Sequence, residues 1–201
     1  MKQYFLVSSI NLIKKNKNYT DDEIEIIAYG LEGIYLTITK AVVIFGLALL
    51  LGIFKEVIYL LISYNIIRSQ AFGIHASKSI YCLISSLTTF IGGAYLCIYL
   101  VIPFWLMIII SLLCIVFLFL YAPADTEKRP IVNKKKRIRF KVISVSLGII
   151  YTILIIIFKG KFLSNYLLFG MFISVIMILP VTYKIFKMPY NNYKEYIKNM
   201  V

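Results

Sequence analysis

The sequence predicts an all-α fold: a polytopic transmembrane helical bundle of about six helices, with an N-terminal amphipathic helix at the membrane interface. Three observations predict it. Of the 201 residues, 61% are hydrophobic and 15% are charged, whereas a soluble domain is roughly half apolar and a quarter charged. The mean hydropathy is +0.86, and the apolar residues fall into runs separated by short polar stretches. The basic residues gather in alternate stretches, so a single set of crossings puts most of them on one side. A water-soluble globular fold is excluded. At roughly 20 residues per span, residues 1–201 make one integral membrane domain with no room for a large soluble one.

The elements follow in order. In residues 1–20, Tyr4, Val7, Ile10, Leu12 and Ile13 recur near helical spacing ahead of Lys14, Lys15 and Lys17, the pattern of a short basic amphipathic helix on a membrane surface. Thr20-Asp21-Asp22-Glu23 is a capping box that opens a new helix. This helix starts polar, passes through Tyr29-Gly30-Leu31-Glu32, and becomes apolar from Ile34 to Phe54. The second run, 57–67, has eleven residues and reaches only about 16 Å as a helix. It must therefore extend into Arg68–Gly73 or dip into the bilayer and out. The third run, 80–101, is long enough to cross; Pro103 breaks it, and 104–121 forms the fourth. Residues 122–141 make a basic loop, 142–158 and 162–181 the fifth and sixth runs, and 182–201 a polar, basic tail.

Charge fixes the orientation. Lys and Arg number 22 against nine Asp and Glu, for a formal net charge of +13. With six crossings and both termini in the cytoplasm, eighteen of the basic residues lie inside and three (Lys55, Lys159, Lys161) outside, as the positive-inside rule requires. In a chain this apolar the excess is read as a topology signal and a contact with anionic lipid, with no nucleic-acid partner. Cys82, Cys97 and Cys114 all lie in apolar runs with no CxxC and no Cys/His metal spacing, so neither a disulfide framework nor a metal site is expected. No phosphate loop appears, and no cofactor is expected.

One constellation carries chemistry. The single histidine, His75, precedes Cys82 by seven residues, at the cytoplasmic junction of the second and third runs. A cysteine protease needs a thiolate nucleophile and an imidazole that takes and returns its proton. Seven residues share a helix face, but the rise along a straight helix is about 10 Å, too far for direct contact. His75 is therefore expected on a loop folded back over the first turns of a helix capped by Ser77 or Ser79. Cys82 would sit in an early turn, where the helix dipole favours an anion. Cys97 and Cys114, at mid-run with no basic neighbour, read as small hydrophobes.

Arg68-Ser-Gln-Ala-Phe-Gly73-Ile-His75-Ala76 ahead of Cys82, Tyr29-Gly30-Leu31-Glu32 before the first span, and Tyr121-Ala-Pro-Ala-Asp125 opening the basic loop resemble the accessory gene regulator B (AgrB) family across most of the chain. Many members carry two glycines before the x-His; here the pair is Phe72-Gly73. The resemblance implies a membrane cysteine endopeptidase of quorum sensing. Its substrate is an AgrD-like precursor peptide, with His75 as base and Cys82 as nucleophile. It also implies an acyl-enzyme resolved by thiolactone or lactone closure, for which a site that excludes water is suited. Gln70, Asn65 and Asp125 are candidates to orient His75 or bind the oxyanion. Arg68, Lys134, Lys135, Lys136 and Arg137 are candidates to hold the precursor's acidic end, and the lysine run reads equally as lipid contact. A bundle this small is compatible with a homodimer. A peptide exporter is the alternative reading, weakened by how few ionisable residues line the spans. A non-enzymatic scaffold is a further one.

Overall fold

The computed structural model of the protein describes residues 2–14, 19–74, 79–126, 130–159 and 161–200. The described residues are overwhelmingly helical and form no strand, and the chain divides into two compact units, Met1–Leu50 and Leu51–Val201.

The first unit pairs α1 (Lys2–Lys14) with α2 (Asp21–Leu50). α2 opens on the expected capping box. The Thr20 N–H donates to Glu23 Oε2 at 2.9 Å and the Glu23 N–H to Thr20 Oγ1 at 3.3 Å, satisfying donors that a helix start leaves without intrahelical partners. Its 30 residues extend about 45 Å, so its polar opening projects beyond a bilayer core and Ile26–Leu50 is the stretch that qualifies as a span. α1 lies against α2 through Phe5, whose ring centroid is 5.3 Å from that of Tyr35. Tyr4, Val7 and Leu12 are left outward and exposed, an apolar edge suited to an interface.

The second unit is a bundle of alternating direction. α3 (Phe54–Ala71) and α8 (Phe162–Ile176) run parallel. Tyr59 meets Phe162 and Tyr166 at their starts, Gly170 faces Ser63 at mid-length, and the Ile74 N–H reaches the Met177 carbonyl just past their ends. α6 (Phe104–Tyr121) runs the same way. α5 (Gly93–Tyr99) and α7 (Lys134–Phe158) run against them. Asn165 of α8 donates to the Cys97 and Leu100 carbonyls at the end of α5, and Tyr151 of α7 donates its hydroxyl to the Ser63 carbonyl at 3.0 Å. α4 (Ser79–Leu87) joins α5 through a single π-helical turn, Thr88–Gly92, whose Phe90 is buried against Tyr64.

Several boundaries differ from those read in the sequence. α3 gains residues at both ends of the expected run and reaches 18, about 27 Å. Among the described residues, four helices qualify as spans by length and apolarity: Ile26–Leu50, Ile80–Tyr99, Phe104–Tyr121 and Lys134–Phe158. α3, with Lys55, Glu56 and Arg68, and α8, with 15 residues, fall short of that measure, and their place in the bundle rests on packing instead. The basic loop is shorter than expected. Lys134–Lys141 forms the first two turns of α7, opened by the Asn133 side chain accepting from the Lys136 N–H at 3.2 Å. The sixth run ends at Ile176, and Pro180 restarts the chain as α9 (Pro180–Ile185), the first-turn position that proline tolerates. The tail adds α10 (Asn192–Met200). Cys97 and Cys114 are buried thiols, as expected of small hydrophobes.

Gly170 sets how closely α3 and α8 approach. A Cβ there would lie 2.6 Å from Ser63 Cβ and 2.8 Å from the Tyr64 nitrogen, and backbone cannot swing aside. Gly170→Ala is therefore expected to cost about 1–3 kcal/mol, read as a lowered midpoint of thermal unfolding in detergent. Gly33→Ala, where the added carbon would meet nothing within 4 Å, is expected to leave the midpoint unchanged or raise it.

Candidate active site

The C-terminal ends of the three parallel helices α3, α6 and α8 converge on one short strap, Phe72-Gly73-Ile74. The Phe72 N–H closes the last turn of α3 on the Arg68 carbonyl at 3.0 Å. The chain then turns sharply, with φ of +58° at Phe72 and +108° at Gly73. The strap pairs with the loop that follows α6, in a single parallel β-type bridge between Phe72 and Ala124. The Ala124 N–H donates to the Ala71 carbonyl at 2.9 Å and the Gly73 N–H to the Ala124 carbonyl at 2.7 Å. The end of α8 supplies the third side, where the Met177 carbonyl accepts from the Ile74 N–H at 3.1 Å. Arg68 completes the knot by donating one terminal nitrogen to the Phe72 carbonyl and the other to the Ile74 carbonyl. A cation is the group that carbonyl-rich helix ends call for.

Gly73 has no substitute here. A Cβ would collide with the Arg68 guanidinium and the Met177 carbonyl, and its φ lies where side chains are disfavoured. Phe72 occupies the other positive-φ position. Its ring is held edge-on against Phe140 of α7, centroids 5.0 Å apart, a contact that offsets backbone strain a glycine would not feel.

His75 and the three residues after it lie outside the described residues, Ser77 among them. The description resumes at Ser79 in α4 (Ser79–Leu87), and Cys82 lies on that helix. Cys82 is half-buried, and its carbonyl accepts from Ser85 Oγ at 3.1 Å. Of the candidate orienting residues, Asn65 is exposed and donates to the Leu61 carbonyl of its own helix at 2.8 Å. Gln70 donates to Ser69 Oγ at 3.2 Å. Asp125 is buried, directly beyond Ala124, and its carboxylate meets Arg137 Nη1 at 3.5 Å. Arg68 belongs to the strap. Lys134, Lys135 and Lys136 are exposed, whereas Arg137 turns inward, donates to the Pro123 carbonyl at 3.4 Å and stacks 3.5 Å over the Tyr193 ring. The basic run therefore splits into three outward charges and one inward one.

Sequence reasoning missed the tail's part in this arrangement. Asp125 Oδ2 accepts from the Tyr193 N–H at 2.9 Å and from the Ile131 N–H at 3.4 Å. The Asp125 carbonyl accepts from the Tyr183 hydroxyl at 2.9 Å and the Asn192 side chain at 3.5 Å. Burial pushes the Tyr183 phenol above its ordinary pKa, which keeps it protonated and donating. The helical spacing of Tyr193, Tyr196, Ile197 and Met200 after Asn191-Asn192 would have revealed α10. Nothing in the sequence links it to Asp125.

Fold and site together define a helical integral membrane protein whose one histidine follows a pinned strap in the sequence and whose Cys82 lies on the next helix. A family profile described as Accessory gene regulator B matches residues 7–178. An AgrB-like protein of Clostridium acetobutylicum is 34% identical over 92% of this chain and 89% of its own length. One from Listeria innocua is 30% identical over 92% of this chain and 91% of its own. The accessory gene regulator protein B of Staphylococcus epidermidis is 30% identical over 77% and 79%. No solved structure matches the chain. The chain belongs to the accessory gene regulator B family.

Gly73→Ala is expected to break the strap, because the collision falls on backbone and on the guanidinium together. The expected result is a drop of several degrees in the unfolding midpoint, about 1–3 kcal/mol, with no effect of Gly92→Ala, whose added carbon would meet nothing within 4 Å.

Proposed function

We propose that the protein is a membrane-embedded cysteine endopeptidase that cleaves the C-terminal part of an AgrD-like precursor peptide and allows the remainder to cyclise for quorum sensing. Family membership supports the process. The observation that carries the chemistry is local. Ile74 is pinned by a backbone hydrogen bond and by Arg68, and helix α4 begins at Ser79. His75 thus follows directly on a fixed residue in the sequence, and Cys82 lies on the helix described from Ser79 onward. A fixed residue immediately before the base, and a helix that carries the nucleophile, favour the proton transfer that turns a thiol into a nucleophile.

The reaction proceeds in balanced steps. His75 takes the Cys82 proton, and the thiolate adds to a backbone carbonyl of the precursor. As the C–N bond breaks, His75 returns the proton to the departing amine, leaving a thioester on Cys82. A thiol or hydroxyl within the bound precursor then gives its proton to His75 and attacks the thioester. The Cys82 S–C bond breaks and Cys82 is reprotonated, releasing a thiolactone or lactone. Gln70 and Asn65, on the last turns of α3, are available to orient His75 or the oxyanion once a peptide is bound. The eighteen-to-three charge bias supports a cytoplasmic site. So does the attachment of Arg137, in the basic first turn of α7, to the loop that holds the strap. Lys134, Lys135 and Lys136, all outward on that turn, are suited to an acidic peptide end.

The test co-expresses the chain with a precursor peptide and follows the peptide by mass spectrometry. Wild type is expected to yield truncated or cyclised product, and Cys82→Ala and His75→Ala to leave it whole with normal membrane insertion. Equal processing by all three would sink the proposal. Replacing Lys134, Lys135 and Lys136 together by Gln is expected to raise KM, with kcat held, and to flatten the salt dependence of KM.

A further inference from the structure

Asp125 sits between two parts of the chain. On one side its neighbour Ala124 exchanges hydrogen bonds with the strap, accepting from the Gly73 N–H at 2.7 Å and donating to the Ala71 carbonyl at 2.9 Å. On the other side Asp125 itself is gripped by the C-terminal segment. The Tyr193 N–H donates to its carboxylate at 2.9 Å, and Tyr183 and Asn192 donate to its carbonyl. Tyr193 is the second residue of α10, and a first-turn N–H has no partner within its own helix. The buried carboxylate therefore caps, across 68 residues of chain, the positive end of a helix it does not belong to. Arg137 closes the arrangement, with its guanidinium 3.5 Å from the Asp125 carboxylate and 3.5 Å over the Tyr193 ring. The family match stops at residue 178, so nothing in that match assigns a role to the segment that supplies Tyr183, Asn192 and Tyr193.

We infer that the C-terminal segment is a latch on the strap: α10, capped by Asp125 and clamped by Arg137, holds the 122–125 loop against Phe72-Gly73-Ile74, the residues that directly precede His75 in the sequence. Asp125, Arg137 and Tyr193 are positioning residues that act through Ala124 and Gly73. The inference rests on the endopeptidase reading for its consequence in catalysis, but not for the mechanical link. Loosening α10 frees the loop, and the strap loses the pairing of Ala124 just ahead of His75 in the sequence, while the outward lysines of α7 are untouched.

The experiment uses the full chain in lipid nanodiscs, as wild type, Asp125→Asn and Tyr193→Pro. The proline removes the N–H at a first-turn position where a helix tolerates it, so it tests the latch should the Asn variant fold poorly. Amide exchange is read by mass spectrometry on peptides covering residues 71–74 and on peptides from the middle of α3 and α8, and peptide cleavage is measured in parallel. Both variants are expected to exchange about tenfold faster at 71–74, the factor for losing one charge-assisted hydrogen bond. The helix interiors should stay protected, and kcat should fall with KM unchanged. Unchanged exchange at 71–74 in both variants overturns the latch, as does faster exchange across the whole bundle, which would mark a general brace. Exchange that rises at the strap with kcat unaffected overturns its positioning role. A wild type that cleaves nothing counts against the endopeptidase reading, while the exchange data still decide the mechanical link.

Discussion

A helix that stops inside or beside a membrane leaves carbonyls that water cannot reach, and everything around the candidate site follows from how α3 meets that constraint. Its last turn is closed by the Phe72 N–H, and the chain then reverses through two positive-φ residues. This points the Phe72 and Ile74 carbonyls back at Arg68 of the same helix. One guanidinium thus satisfies two carbonyls of the strap, and its planar fork suits the task better than an ammonium would. The remaining backbone groups of the strap pair with Ala124 and Met177, which draws the ends of α6 and α8 to the same point. The convergence of three parallel helices is the geometric consequence of satisfying a few polar groups in an apolar setting.

Much of this was legible in the sequence. The membrane class and the boundaries of α6 follow from composition and apolar runs. The capping box at Thr20 formed as read, because its two hydrogen bonds are local. Cys82 lies on a helix, as the apolar run it belongs to suggested. Elements that depend on tertiary partners were less visible. The short second run became a full-length helix because α8 packs along it at Gly170, and no periodicity in one segment reports that. The basic run at Lys134 reads as a loop by charge, yet Asn133 caps it into helix, leaving three charges outward and turning Arg137 in. The bridge from Asp125 to Tyr193 spans a separation that sequence spacing cannot encode.

The Phe72-Gly73 pair shows how the two levels correct each other. The two-glycine pattern that the resemblance leads one to expect implies two positions of unusual backbone freedom, and φ is positive at both Phe72 and Gly73. Only the second admits no side chain, because Arg68 and the Met177 carbonyl fill the space. The first tolerates Phe72 because its ring finds Phe140. Conformational demand and steric demand coincide at Gly73 and separate at Phe72, a distinction that sequence alone does not draw.

The account stands on a covalent intermediate at one cysteine of three. The most direct measurement is the intact mass of the detergent-solubilised protein, rapidly mixed with precursor peptide and quenched in acid, followed by fragmentation to locate the added mass. The expected result is an adduct equal to the N-terminal fragment of the precursor, carried as a thioester on Cys82 and absent from Cys97 and Cys114. Cleaved peptide with no adduct on Cys82 at any time point, including when ring closure is blocked by replacing the precursor's own nucleophile, would contradict it.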